Sequence, residues 1–269
     1  MLPYYNRKTY LEATLVSYLK FYKNSDIEVI VVDDCSAEEH RVESLTDKFK
    51  DINLNVIRIP TKTGINPCYP YNVGVRAAQG EVLILSSPET VHTESIVELS
   101  ENFKDLDKES YFCFSVFCPT SSELNRMILA TTVVGDDMLL KIRDMLWDNA
   151  HAGLGENGRP AFNNVFGSWY LHSQFKPSAL NFLTAMRRDL FVEMSGFNEA
   201  FRNGTGFDDT EFKDRLMQKV KTIKYFDKAF ALHLNHPPVY GAGNPVSNMA
   251  LYNDLENNPY RPNDNWGKL

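Results

Sequence analysis

An α/β fold built on a doubly wound, mostly parallel sheet flanked by helices is the class that this sequence predicts. Short β-branched runs alternate with segments of helical period through the first 110 residues, and each run stops in a polar loop. The chain can also cover both faces of such a sheet: 269 residues, 43% of them hydrophobic, should bury about 70–75% of the unfolded surface. No internal repeat and no low-complexity linker interrupts it, which favours one continuous domain over residues 1–269.

Leu11, Leu15, Tyr18 and Leu19 recur at helical spacing and predict a helix over 9–22. Ile27-Glu28-Val29-Ile30-Val31-Val32 has the composition of a buried parallel strand, and it stops at Asp33-Asp34-Cys35-Ser36. Ser36 can cap a helix expected over 38–49. A second strand over 54–59 leads through Pro60 into a loop with Gly64 and Pro67, followed by a short helix over 71–78 that ends at Gly80. The third strand, 81–85, ends in Ser86-Ser87-Pro88-Glu89, with a helix expected over 94–103.

Beyond residue 110 the pattern loosens. A strand is expected over 111–117 and a long loop region over 153–177, rich in Gly, Asn, His and aromatic residues. Order returns at 182–186, with a helix over 189–194, a turn at Gly196, a helix over 210–219 and a strand over 229–233. The Pro- and Asn-rich tail from Pro237 is expected to wrap the surface. Ligands of open α/β sheets bind off the carboxyl ends of the strands, so the loops at 33–36 and 86–92 are where chemistry is expected.

Composition excludes several classes. The 28 Lys and Arg against 35 Asp and Glu leave a net charge of −7, so no global field gathers nucleic acid. No apolar run approaches the ~18 residues needed for a membrane span. The first residues, Met1-Leu2-Pro3-Tyr4-Tyr5-Asn6-Arg7, lack the apolar stretch of a secretory leader, so a cytoplasmic location is expected. Cys35, Cys68, Cys113 and Cys118 show no metal-site or redox spacing and read as reduced thiols.

Three constellations carry chemistry. Asp33-Asp34 at a strand end either caps the next helix or faces a ligand. Gly204-Thr205-Gly206-Phe207-Asp208-Asp209-Thr210-Glu211 puts three carboxylates at a helix start, where they either favour the helix dipole or supply a general base. His233 and His236 follow an apolar strand; two imidazoles three apart there are less apt to ligate together than on a helix.

The segment from Ile30 to Ser36, followed by Asn72-x-Gly74-x-x-x-Ala78-x-Gly80-Glu81-Val82-Leu83-Ile84-Leu85, closely resembles the nucleotide-binding half of family-2 glycosyltransferases with the GT-A fold. The resemblance runs in order over about residues 3–237. It implies a nucleotide-binding half over about 1–110, an acceptor and catalytic half over about 111–240 and a tail over 241–269. It also implies nucleotide contacts from Pro3, Tyr4, Tyr5 and Arg7, from Asp33 or Asp34 to the base, and from Asn72 and Ser87. The strand that precedes Pro3 in the family is represented only by Met1-Leu2, and the family's Asp-x-Asp is replaced by Ser87-Pro88-Glu89.

Glu89 takes the position of the direct metal ligand, with His233 completing the shell around Mn²⁺ or Mg²⁺ and His236 touching phosphate or packing. His92 lies a turn away, at the surface or in contact with substrate. Asp209 matches the usual base, supported by Asp208, with Glu211 nearby on the acceptor side. Trp169 and Tyr170 either stack on a sugar or belong to the core, and Arg187 and Arg188 can neutralise pyrophosphate. The implied activity is inverting, metal-assisted transfer from a nucleotide sugar, UDP-linked by preference, to a carbohydrate or other hydroxyl acceptor. Two alternatives stand beside it. A sugar nucleotidyltransferase would want a Gly-rich basic signature that Tyr4-Tyr5-Asn6-Arg7 lacks, and a non-catalytic sugar- or nucleotide-binding module is motivated by the missing first Asp.

Overall fold

The computed structural model describes all residues except 24, 63, 100–102, 104–105, 121, 135, 153–162, 165, 238–246 and 262–263. Its first half alternates as expected: β1 (Leu2–Tyr4), α1 (Lys8–Tyr22), β2 (Glu28–Asp33), β3 (Asn53–Arg58), α2 (Cys68–Ala77) and β4 (Val82–Ser86). β1, β2 and β3 pair in that order, all parallel, with Leu2 beside Val31 and Asp33 beside Arg58. The Met1 amine donates to the Ile84 carbonyl at 2.8 Å and Ser86 N–H donates to the Met1 carbonyl at 3.2 Å, so the residue just before β1 is tied to β4.

β4 opens the second sheet. The chain continues through β5 (Thr90–His92), α3 (Ile96–Leu99), β6 (Ser110–Pro119), α4 (Ser122–Val134), α5 (Asp136–His151), β7 (Asn163–Asn164), β8 (Gly167–Leu171), β9 (Leu183–Arg187), α6 (Arg188–Glu193), α7 (Asp208–Leu216), β10 (Thr222–His233) and α8 (Met249–Asn253). The strand order is β4-β9-β6-β10-β5, with β8 on β6 and β7 on β8. β6 and β10 are parallel, whereas β9, β8 and β5 run antiparallel to their neighbours. All ten residues of β6 are buried, which its unbroken apolar run Tyr111-Phe112-Cys113-Phe114 requires of a central strand.

Several expectations are corrected. Residues 38–49 form two short 3₁₀ turns, Glu38–His40 and Val42–Leu45, because Arg41 between them is extended (ψ 136°) and few apolar side chains fall on one face. The helix expected over 94–103 is described only as α3. The loop expected over 153–177 contains β7 and β8 in its described part, with Trp169 and Leu171 facing inward; the rest of that expectation, 153–162, lies outside the described residues. α4 and α5 are additions to the expected elements, although Leu139, Ile142, Leu146 and Ala150 keep a helical period and are buried. Instead of only wrapping the surface, the tail buries Trp266 against Phe191, and Arg76 donates to the Trp266 carbonyl at 2.8 Å.

The core has two parts. The larger lies against β1, β2, β4, β6 and β9, and the smaller gathers Phe117, Trp169, Phe230, Ile128 and Leu146 between the second sheet and α4 and α5. Among the described residues no helix is long and apolar enough to cross a membrane.

Candidate functional site

The carboxyl ends of β1, β2, β4 and β10 open on one cleft of about 510 Å³. Pro3, Tyr4, Tyr5 and Arg7 line it from the end of β1, and Asp34 from the end of β2. Ser87 and Glu89 enter from the connection between β4 and β5, His233 and His236 from the end of β10, and Asp208 and Asp209 from the first turn of α7. A larger cavity of about 700 Å³ runs along β4 from Val82 to Ser86, with Glu28 and His92 in its wall, and shares no lining residue with this cleft.

Left-handed backbone marks the rim of the cleft. Asn6 (φ 52°), Cys35 (φ 62°) and Phe207 (φ 66°) adopt it without being glycine, directly beside Arg7, Asp34 and Asp208. Such conformations are unfavourable for non-glycine residues and persist where surrounding bonds impose them. Asn6 illustrates this: its N–H donates to Ser36 Oγ at 2.9 Å, and its Oδ1 accepts from Ala37 N–H at 2.8 Å.

Adjacent Asp33 and Asp34 have opposite surroundings. Asp33 is fully buried, accepting from Ser36 N–H at 2.8 Å and pairing with Arg58 Nη1 at 2.7 Å. Asp34 faces the cleft; Lys62 Nζ bonds its Oδ2, and its Oδ1 is buried with no partner among the described residues. Burial pushes the Asp34 carboxyl above the usual range, opposed by Lys62. The Lys62 ammonium also lies 4.1 Å from the centre of the Tyr5 ring.

Glu89, His233 and His236 each offer one ligand atom, and the three atoms lie within 4.8 Å of one another. Leu234 N–H donates to the Glu89 carbonyl at 2.9 Å, which fixes the end of β10 beside Glu89. Arg7 Nη1 donates to Glu89 Oε1 and sits 2.8 Å from His236 Nε2. Burial pushes His233 down to about 4, so its imidazole is neutral at pH 7, the form that binds metals. Its Nδ1 is buried with no partner among the described residues. One carboxylate and two neutral imidazoles, one carrying an orphan nitrogen, fit a divalent cation.

The acidic pair opens α7. Gly206 (φ 68°) and Phe207 turn the chain so that Asp208 starts the helix; a Cβ on Gly206 would meet nothing within 4 Å, so glycine is called for by φ and not by space. Asp208 is buried, and its Oδ1 accepts from Asn66 Nδ2 at 2.7 Å. Asp209 is half-buried, its Oδ1 accepting from Thr210 N–H at 2.7 Å. Burial, then the neighbouring charge of Asp209, pushes Asp208 up to about 7, and burial raises Asp209 as well. Raised carboxylates in a cleft are suited to proton abstraction.

The family model described as glycosyl transferase family 2 matches residues 1–136, just over half of the 269. The chain belongs to glycosyl transferase family 2. A relative, poly(ribitol-phosphate) beta-N-acetylglucosaminyltransferase TarS of Staphylococcus aureus strain Mu50, is 32% identical over 99 residues, which are 36% of this chain and 17% of that protein. The chain thus spans about a sixth of that relative's length. The structure of S. aureus TarS 1-349 in complex with UDP-GlcNAc matches with a TM-score of 0.62 at 16% identity, over 94% of this chain and 63% of that one. The mannosyltransferase PcManGT from Pyrobaculum calidifontis, in complex with GDP-Man and Mn²⁺, gives 0.51 at 17% identity, over 90% and 56%. The fold is therefore that of the GT-A glycosyltransferases.

In this family-2 chain several expected site residues lie away from the cleft. Asp33, paired with Arg58, braces the end of β2. Asn72 is buried beneath the cleft, where Nδ2 donates to the Phe197 carbonyl and Glu199 Oε1, and Oδ1 accepts from Phe197 N–H. Trp169 is core, stacked on Phe175, with its indole N–H donating to the Ala150 carbonyl. Tyr170 packs behind His233, ring centres 4.9 Å apart. Arg187 pairs with Glu81 and Asp189, and Arg188 donates to the Gly80 carbonyl, at the far end of β4 and β9. Glu211 is buried in an ion pair with Arg215. His92, the last residue of β5, is neither at the surface nor in the cleft but buried against Tyr18 and Tyr22 of α1, its Nδ1 2.7 Å from the Tyr22 hydroxyl.

The cleft also holds residues to which the sequence assigns no role, among them Lys62, Asn66, Tyr71, Asn181 and Thr205. For Lys62 and Asn66 a signal exists, because their Gly- and Pro-containing loop follows a strand at its carboxyl end. Thr205 stands inside the Gly204–Glu211 constellation, whose acids and not whose threonine drew the reading, and Asn181 carries no sequence pattern that distinguishes it.

Proposed function

We propose that this chain is an inverting glycosyltransferase that moves a sugar from a UDP-sugar to an acceptor hydroxyl. The observation that carries the reading is the meeting in one cleft of an unpaired Asp34 oxygen, the Glu89-His233-His236 triangle and the Asp208-Asp209 pair. Asp34 Oδ1 is an acceptor for the ring N–H of a uracil, and the Tyr5 face offers stacking beside it. Arg7 carries positive charge toward the diphosphate side of the cleft. Asp209 takes the proton of the acceptor hydroxyl as that oxygen attacks the anomeric carbon, and the nucleoside diphosphate leaves from the opposite face, which inverts the configuration.

Glu89, His233 and His236 would hold a divalent cation. When bound, such an ion supplies Lewis-acid neutralisation of the departing diphosphate. The mixed N/O donors favour Mn²⁺ over Mg²⁺, which prefers oxygen. The complexes of PcManGT and of GalNAc-T7 that share this fold contain Mn²⁺, and those of TarS contain UDP or UDP-GlcNAc.

The test is release of nucleoside diphosphate from UDP-GlcNAc and GDP-mannose, with and without Mn²⁺. Mn²⁺-stimulated release of UDP, with the anomer of the transferred sugar read by NMR, is expected. Pyrophosphate exchange from a nucleoside triphosphate would point to a nucleotidyltransferase, and tight binding without turnover to a binding module.

A further inference from the structure

Asn66 belongs to none of the motifs used above, yet through it the first half of the chain reaches the acidic pair. Its loop is docked on the turn Glu199–Asn203 that precedes the pair: Ile65 and Asn66 N–H both donate to the Arg202 carbonyl, at 2.8 and 3.0 Å. A Cβ on Gly64 would lie 2.3 Å from that carbonyl oxygen, so the loop sits flush against the turn. The amide orientation of Asn66 is dictated by its other bond. Oδ1 accepts from Cys68 N–H at 3.0 Å, which leaves Nδ2 to face Asp208 Oδ1 at 2.7 Å. Both side chains are buried.

We propose that Asn66 is a positioning residue that, by donating to Asp208, holds this carboxyl in its accepting, ionised form beside Asp209 and keeps Asp209 a competent base. The proposal rests on the reading of Asp209 as the base. An amide N–H can only donate, so the bond favours the Asp208 anion over its acid. An ionised Asp208 repels negative charge on Asp209, and Asp209 then holds a proton more readily, as a group that must take one from a hydroxyl should. Burial works in the opposite direction on Asp208, so this donor helps decide on which side of neutrality the pair titrates. The other titratable groups acting on the pair are Lys213 on α7 and Cys68 and Tyr71 on α2, with Glu199 and Arg202 behind Cys68.

Asn66→Ser separates the two bonds. A serine hydroxyl can still accept from Cys68 N–H in the same kind of turn, more weakly, but is too short to reach Asp208; Asn66→Thr serves the same purpose should the serine variant not fold. Carboxyl ¹³C NMR of aspartate-labelled protein reads the Asp208 and Asp209 midpoints directly, and UDP release from UDP-GlcNAc gives the pH profile of turnover. The expected result is an Asp208 midpoint raised by about one pH unit, which is about a tenfold change in proton affinity. The acid limb of turnover should move up with it, while donor KM stays near wild type and Tm above neutral pH falls by only the few degrees that loss of one donor to a buried anion implies. An unchanged midpoint, or a turnover loss that follows Tm with an unmoved acid limb, overturns the proposal. Asp209→Asn tells the two levels apart: if it turns over normally, the base reading falls, whereas an inactive Asp209→Asn beside an unshifted Asn66→Ser retires only the role of Asn66.

Discussion

Replacing Asp208 by asparagine should stabilise the protein at and above neutral pH and have little effect near pH 4. The buried carboxyl titrates at about 7 in the folded chain, against 3.8 for an unperturbed aspartate. Well below that ordinary value it is protonated in both folded and unfolded states and contributes no pH dependence. Between about 4 and 7 the unfolded chain releases the proton and the folded chain retains it, so stability falls as pH rises, and above 7 the full penalty is present. A difference of about three units at about 1.36 kcal/mol each sets a ceiling near 4 kcal/mol, part of which belongs to repulsion from Asp209. The substituted amide would remove the charge and still accept from Asn66. Each kcal/mol is worth about 2–4 °C of Tm in a chain of this size, so thermal melts of both proteins from pH 5 to 8 resolve even a quarter of the ceiling. His233, whose pKa is lowered by burial, acts on both proteins alike and cancels in the difference. Parallel Tm profiles for wild type and Asp208→Asn would refute the assignment of a costly buried charge to this position.

Asp209→Asn should lower transfer or donor hydrolysis by about 10²–10⁴-fold with UDP affinity by calorimetry unchanged, since the amide keeps the bond to Thr210 N–H but accepts no proton. His233→Ala and Glu89→Gln should each weaken Mn²⁺ binding in calorimetry by at least about tenfold, as loss of one of three protein donors implies; equal Mn²⁺ affinity in all three proteins would remove the metal from this triangle. Asn72→Ala should cost about 1–3 kcal/mol in urea unfolding, because it orphans the buried Phe197 N–H and carbonyl, and should leave UDP affinity of the folded protein at the wild-type value. A selective loss of UDP binding would return Asn72 to the nucleotide site.

Much of this protein is legible in its residues in order. Local rules suffice for the strands that end at Asp33 and Ser86, because a strand in the interior of a sheet is rich in apolar residues and stops where the chain turns polar. The same rules mark their carboxyl-end loops as the place for chemistry. The resemblance of Asp33-Asp34, Glu89, Asp208-Asp209 and His233 to one family ranks them without any distance. What residue order does not contain is direction. Asp33 and Asp34 are chemically identical neighbours, and only the parallel pairing of β2 with β3 sends one to Arg58 and leaves the other open to the cleft. Trp169, Arg187 and Glu211 have side chains suited to a sugar or a phosphate, yet each is satisfied by a partner far away in sequence or on the next helical turn. Spacing along a strand sets His236 apart from His233, but the bend after β10 brings both imidazoles within ligand distance of Glu89. Asn66 and Asp208 lie 142 positions apart; their bond exists because the loop after β3 docks on the turn before α7, a contact that no local pattern encodes and that packing of the whole chain alone decides.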